Sequence, residues 1–256
     1  MIDFHSHILH GVDDGAKSEA MTIKMLKLAE KSGTEGIVAT PHFFRGRFEI
    51  TYKEVKEKVT RLKNLVNENH INIKVYCGQE IYYTDRILES FKCGDIGTIE
   101  DSRYMLIELP LNETEVDKVI DDIYEIQLKG IVPIIAHPER YEIFIKDPCL
   151  INKFIEEGFL FQLNTGSITG DFGRKAKKTA EIFIRNKIYA TMGSDAHRVE
   201  RRTTDMRSGI MAIEKIMPGY TKEMKMFSEE ILKNNDIKFQ GNIIKKRNKI
   251  IDLFKK

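Results

Sequence analysis

The chain has 256 residues, with 41 Lys+Arg against 39 Asp+Glu and a formal net charge of +2. It is 41% hydrophobic and 31% charged, with no Trp and three Cys. This balance excludes a strongly basic nucleic-acid binder, and the lack of any run of about 18 apolar residues excludes a transmembrane helix.

Taken in chain order, short apolar segments rich in β-branched residues predict strands near 1–5, 35–40, 73–79, 103–109, 131–136, 159–163 and 188–193. Amphipathic stretches between them predict helices over 18–32, 50–69, 114–129, 174–186 and 205–217. Strand alternating with helix implies parallel strands joined by right-handed crossovers. Seven such units without a glycine-rich nucleotide loop favour a barrel over an open sheet. No Pro/Gly/Ser-rich linker divides the chain, so residues 1–256 are read as one domain.

The start, Met1-Ile2-Asp3-Phe4-His5, lacks the basic and apolar regions of a signal peptide. Cys77, Cys93 and Cys149 are widely spaced and form no CxxC, which predicts reduced thiols in a cytoplasmic protein. Residues 237–256 stand apart: seven Lys/Arg and one acid, Asp252, give them a net +6 and leave the rest of the chain at −4. Ile243, Ile244, Ile250, Ile251 and Phe254 could form an apolar stripe there. The simpler expectation is a basic final helix packed on the barrel; the other is weak contact with an anionic membrane surface or acidic partner.

The polar residues gather where the predicted strands end. Strand one ends in His5-Ser6-His7, with Asp13-Asp14 shortly after; strand two ends in Thr40-Pro41-His42 and strand three in Gly78-Gln79-Glu80. The next four end in Glu108, in His137-Pro138-Glu139-Arg140, in Gln162-Leu163-Asn164 and in Ser194-Asp195-Ala196-His197. In a parallel barrel these ends share one face, where active sites form. Five of the chain's seven histidines lie there, and only His10 and His70 do not. Imidazoles with Asp14, Glu80, Glu108 and Asp195 make a nitrogen and oxygen donor set suited to Mn, Fe or Zn. Nine such donors exceed the four to six positions of one ion, so two or three ions bridged by a carboxylate are implied.

Such ions activate water and clamp the oxygens of a phosphoryl group. In-line transfer also needs cations for the phosphate oxygens. Arg140 and Arg202 follow ligand-bearing strand ends, although Arg198, Arg201 and Arg207 compete for the second role. A cysteine-nucleophile phosphatase requires Arg six positions after Cys; those positions hold Tyr83, Ile99 and Ile155. A G-x-S-x-G serine elbow is also absent.

Asp3-x-His5-x-His7, Gly11-Val12-Asp13-Asp14-Gly15, Thr40-Pro41-His42, Gly78-x-Glu80, His137-Pro138-Glu139-Arg140 and Ser194-Asp195-Ala196-His197 together resemble the PHP (polymerase and histidinol phosphatase) superfamily. The ordered set, spanning residues 1 to about 220, most resembles its bacterial protein-tyrosine phosphatase branch, found with capsule and exopolysaccharide synthesis. The resemblance implies an α/β fold, a distorted seven-stranded (β/α)7 TIM-like barrel. It implies manganese as the usual metal, with Fe or Zn as substitutes. Its implied metal ligands are His5, His7, Asp14, His42, Glu80, Glu108, His137, Asp195 and His197. Arg140 and Arg202 would hold phosphate, and His197 or Asp14 could act as general acid.

The implied reaction is hydrolysis of phosphotyrosine on the tyrosine-rich tail of a membrane-associated bacterial tyrosine autokinase that controls polysaccharide synthesis. Tyr82, Tyr83, Phe43 and Phe44 follow ligand-bearing strands and are candidates for lining the cleft. The alternative is a histidinol-phosphate phosphatase or another PHP phosphoesterase. His10 stands where the family usually has Pro, and is expected to be exposed.

Overall fold

The computed structural model describes residues 1–112 and 115–245. Its strands are β1 Ile2–Ser6, β2 Gly36–Ala39, β3 His42–Phe44, β4 Phe48–Glu49 and β5 Lys74–Cys77. They continue with β6 Glu80–Tyr82, β7 Tyr104–Glu108, β8 Val132–Ala136, β9 Leu160–Asn164 and β10 Thr191–Gly193. The helices are α1 Glu19–Lys31, α2 Tyr52–Glu68, α3 Ile87–Cys93, α4 Val116–Gln127 and α5 Glu142–Lys146. They end with α6 Ile151–Glu156, α7 Thr165–Thr169, α8 Arg174–Arg185, α9 Arg207–Ile216 and α10 Tyr220–Leu232.

Local chemistry explains the longer helices. Ser18 caps α1 by accepting from Met21 N at 3.3 Å. Thr51 and Glu54 form a reciprocal capping box that starts α2. On α2, Val55, Val59, Leu62 and Val66 recur at three- and four-residue spacing and are buried together.

The result is a mixed α/β fold built on parallel strands. β1 pairs with β2, and β2 with β5. β3 pairs with β6, and β6 to β10 then follow one another in parallel. The chain bends between β2 and β3 at Thr40-Pro41, and between β5 and β6 at Gly78-Gln79, so each pair is one strand passing between two sheets. Beyond β10 the chain returns to β1: Asp195 N donates to His5 O at 2.8 Å, and His7 N to Ala196 O at 2.9 Å.

Alternation along β7 sorts the core. Tyr104 and Leu106 join Phe4, Val38, Ile134 and Leu160 in one apolar cluster, closed by Ile231 of α10. Met105 and Ile107 face the opposite way, into the layer under α4, α8 and α9. A third cluster lies under α1 and α2. Buried carboxylates and imidazoles gather at the strand ends, where β9 also turns Gln162 and Asn164 to buried positions.

Several elements differ from expectation. The sequence reading runs strand three straight through 73–79, whereas Gly78 bends it. It also lacks the β3–β4 hairpin, α3, α5 to α7 and α10. The short helices carry too few turns for a readable period. Residues 237–245 form no helix. They lie as a strap, with Ile244 bonded both ways to the Asn152 side chain and Asn242 N on Asn186 O. Ile250, Ile251 and Phe254 of the expected stripe lie outside the described residues. No described helix is long and apolar enough to cross a membrane.

Candidate metal centre

The parallel strands deliver their C-terminal ends to one side, and two glycines let them converge there. A Cβ on Gly193 would lie 2.5 Å from His5 Cβ, and one on Gly15 would lie 2.3 Å from His7 O. Only glycine permits either approach. Three of the residues singled out in the sequence, His137, Asp195 and Arg202, hold positive φ (32°, 51° and 51°), a strained conformation outside glycine.

The nine predicted ligands come together. Glu80 Oε2 lies 3.1 Å from His5 Nε2, 3.2 Å from His7 Nε2 and 3.1 Å from His42 Nδ1. Its other oxygen is 3.0 Å from His137 Nε2. Glu108 is 3.6 Å from His137 Nε2 and 3.8 Å from His42 Nδ1. Asp195 Oδ1 is 3.5 Å from His7 Nε2, and Asp14 Oδ1 is 3.3 Å from His197 Nε2. Three overlapping groups have donor atoms within 4.8 Å of one another: His7, Asp14, His42 and His197; His5, His7 and Glu80; and His42, Glu80 and Glu108.

The donor atoms fit cations. Gln162 Nε2 donates to Leu163 O at 2.6 Å, which fixes Gln162 Oε1 as the acceptor facing His5 Nδ1 at 2.9 Å. Asp13 accepts from His7 Nδ1 at 2.7 Å. Both imidazoles are therefore protonated on Nδ1, and their two Nε2 atoms face each other at 3.2 Å. Two nitrogen lone pairs at that distance repel unless a proton or metal ion lies beside them. His197 follows the same rule, with Nδ1 on Asp195 O at 3.0 Å. Asp14 Oδ1, His42 Nδ1 and Glu80 Oε2 are buried here with no hydrogen-bond partner, a vacancy of partners that cations satisfy.

Electrostatics agree. Burial holds His42 and His137 down to about 4, so both present neutral nitrogen near pH 7. Burial opposes charge on His7, yet the Asp13 carboxylate outweighs it and raises His7 well above its usual value. Burial, then the Glu80 charge, raises Glu108 well above the carboxylate range. Protons are thus favoured on His7 and Glu108, while His42 and His137 stay neutral.

Arg140 and Arg202 occupy one rim. Arg140 Nη1 donates to Asp195 Oδ2 at 2.8 Å, and Arg202 Nη2 donates to Oδ1 of the same carboxylate. The loop after His197 folds back, with His197 N on Arg202 O at 2.9 Å, and so returns Arg202 to the site. Arg201 is exposed, and Arg207 is tied to Asp205. The Phe172 ring lies against both guanidinium groups, 4.3 Å from Arg140 Cζ and 5.6 Å from Arg202 Cζ.

A cavity of about 360 Å³ over the centre is lined by Phe44, Arg47, Phe48, Tyr82, Arg140 and Arg202 among others. Phe44 and Tyr82 thus stand where the sequence reading expects them, stacked 4.0 Å apart. Phe43 does not: strand alternation turns it into the core. Tyr83 also turns away, donating to Asp122 at 2.5 Å. His10 is exposed. The sequence reading does not reach Asp13 and Gln162 as partners of the ligands, nor Phe172, Phe48 and Arg47. The Asp13-Asp14 doublet and the place of Gln162 at the end of strand six are the available signals; Phe172, Phe48 and Arg47 lie outside every motif.

A sequence profile of the family described as capsular polysaccharide synthesis, CpsB/CapC, matches residues 1–239. The chain belongs to this family. CapC of Staphylococcus aureus is 35% identical over 248 residues, 96% of this chain and 94% of CapC. Tyrosine-protein phosphatase YwqE of Bacillus subtilis is 31% identical, covering 94% of each chain. A crystal structure from work on YwqE of Bacillus subtilis and CpsB of Streptococcus pneumoniae, described as metal-dependent tyrosine phosphatases, superposes with TM-score 0.89 at 29% identity. It covers 96% of this chain and 100% of that one. A histidinol phosphate phosphatase from Lactococcus lactis, 15% identical with TM-score 0.51 over 84% of this chain and 93% of that one, shares the fold alone. In this CpsB/CapC chain the nine donors and two arginines all fall inside the matched span.

Proposed function

We propose that this CpsB/CapC protein is a metal-dependent protein-tyrosine phosphatase, built on a distorted seven-stranded PHP-type barrel. The observation that carries the reading is the facing pair of His5 and His7 Nε2 atoms, 3.2 Å apart beside Glu80, with two arginines on the rim.

His5, His7, Asp14, His42, Glu80, Glu108, His137, Asp195 and His197 would hold two or three ions; Glu80 lies at the middle of the set, its two oxygens approaching four imidazoles. Manganese is the proposed metal, since the set is all nitrogen and oxygen. When bound, the ions supply activated water and offset the charge of the phosphoryl oxygens. Arg140 and Arg202 turn donors towards those oxygens while Asp195 holds them. Phe44, Phe48 and Tyr82 exclude water from the leaving ring.

The resemblance implies His197 or Asp14 as general acid. Their environment does not favour that. The His197 contact holds Asp14 below the usual carboxylate range, and burial holds His197 below the usual imidazole range. Near neutrality Asp14 is a carboxylate and His197 a neutral imidazole whose Nδ1 proton is held by Asp195 O, so both are assigned to metal holding. Tyrosinate, with a pKa near ~10, leaves without help from them.

The substrate we propose is a phosphotyrosine on a bacterial tyrosine kinase of polysaccharide assembly; the family description supports that setting. The deciding experiment measures phosphate release from a phosphotyrosine peptide after EDTA stripping and Mn²⁺ titration, with histidinol phosphate alongside. Loss on stripping and return with Mn²⁺ supports the reading. Release from histidinol phosphate alone replaces it.

A further inference from the structure

Residues 42–49 form the β3–β4 hairpin, which turns at Gly46 with φ 84° and makes one lip of the cavity over the metal centre. Its two arginines have opposite surroundings. Arg45 Nη2 donates to Ser90 Oγ at 3.0 Å, and its guanidinium lies 3.9 Å from Glu89 and 3.7 Å from Asp95. Arg47 lines the cavity, is exposed, and has no carboxylate within 4 Å among the described residues. Aromatic rings hold it instead. Its Cζ lies 4.9 Å from the Phe48 ring centre and 6.0 Å from that of Phe44. Phe48 in turn stacks on His42, with ring centres 5.8 Å apart and planes at 9°.

The Arg47 guanidinium therefore stands two stacked layers above a ligand imidazole. Stacking fixes its plane and leaves its N–H edges free to donate. A phosphotyrosine with its phosphoryl group at the metal centre projects its backbone to the rim, because the side chain is long and rigid. The residue next to it then passes Arg47. We propose that Arg47 forms a subsite for an anionic group, a carboxylate or a second phosphoryl, on the residue neighbouring the phosphotyrosine. This rests on the phosphatase reading above, and assigns that enzyme a preference for acidic sequence around its target.

The test uses metal-loaded enzyme and three peptides that differ only beside the phosphotyrosine: alanine, glutamate or a second phosphotyrosine. The readout is the ratio of kcat/KM for each anionic peptide to that for the alanine peptide, within each variant. The wild type is expected to favour the anionic peptides about fivefold, through KM, as suits an exposed ion pair. Arg47→Lys keeps a preference, Arg47→Gln brings the ratio to one, and Arg47→Glu inverts it. A glutamate ratio above one identifies the carboxylate as a ligand; a ratio above one only for the second phosphotyrosine restricts the subsite to phosphate. A wild-type ratio of one, or a ratio that survives Arg47→Gln, overturns the subsite alone. A wild type inactive on all three peptides overturns the phosphatase reading and the subsite with it.

Discussion

Asp13 accepts from His7 Nδ1 at 2.7 Å, and this one contact decides where His7 Nε2 points. The carboxylate does more than orient. Its Oδ1 accepts from Gly15 N at 2.8 Å and its Oδ2 from His42 N at 3.0 Å, so it ties three parts of the site together. Gln162 performs the equivalent task for His5. Partners of this kind typically set metal affinity by about 10–100-fold. Asp13→Asn and Gln162→Leu should each weaken metal binding by roughly that factor. Competition with a chromophoric chelator measures it; wild-type affinity in both variants would show that the ligands orient themselves.

Metal loading should weaken as pH falls. The charge of Asp13 raises His7 despite burial, Glu80 raises His5 despite burial, and burial with the Glu80 charge raises Glu108. Each of these groups binds protons more tightly than its free form, so ions must displace them. Every displaced proton costs about tenfold in apparent affinity per pH unit below the raised value. Calorimetric titrations between pH 6 and 8, in buffers of different ionisation enthalpy, should show proton release and affinity rising with pH. Affinity independent of pH would mean that the cation-free centre holds no such protons.

Gly193→Ala should disable the site without replacing a ligand. The added Cβ would meet His5 Cβ at 2.5 Å and His5 N at 2.7 Å, and neither backbone can retreat while β10 and β1 stay joined. Overpacking of this kind costs about 1–3 kcal/mol. The expected outcome is a lowered Tm together with reduced metal content. Unchanged values for both would show that β1 and β10 can separate.

Phe172→Ala should lower phosphatase efficiency with metal content unaltered. The ring touches both arginines, and each exposed cation–π contact is worth about 0.5–1 kcal/mol. Loss of both predicts a fall of roughly 5- to 30-fold in kcat/KM. Phe172→Tyr should restore most of it, because the ring face is retained. An alanine variant with wild-type kinetics would leave Asp195 as the sole support of the arginines.

The sequence carries the metal centre more legibly than the fold that supports it. His5, His7, Glu80 and His197 announce themselves because imidazoles and acids at successive strand ends have few structural uses. The elements missed are those whose form depends on packing. The β3–β4 hairpin has a two-residue second strand, and α5 to α7 span five or six residues each, too short for periodicity to separate from loop. Phe172 is illegible for a different reason. Nothing near it in sequence marks it; the loop after Gly170, with φ 100°, brings it against arginines that lie 32 positions before and 30 after. Phe43 and Phe44 show the limit of reading neighbours alike, since strand alternation sends one to the core and the other to the cavity.

The adjacent arginines 201 and 202 separate in space, and their kinetics should separate too. Arg202 has positive φ, donates to Asp195 and lines the cavity over the metal centre. Arg201 is exposed and does not line that cavity; it borders a neighbouring one of about 650 Å³ beside α7 and α9, which Arg202 also reaches. A planar guanidinium can give a phosphoryl group two parallel donors, whereas an ammonium gives a single point of charge. Arg202→Lys should therefore lower kcat on a phosphotyrosine peptide by about 10²-fold, the usual cost of losing one donor to developing oxyanion charge. Arg201→Ala should change kcat by less than about twofold, as for surface substitutions generally. Weaker inhibition by inorganic phosphate in Arg202→Lys than in the wild type would tie the loss to phosphate holding. If Arg201→Ala instead carries the larger loss, the second phosphate cation lies in the neighbouring cavity, and Asp195 holds Arg202 for a structural purpose.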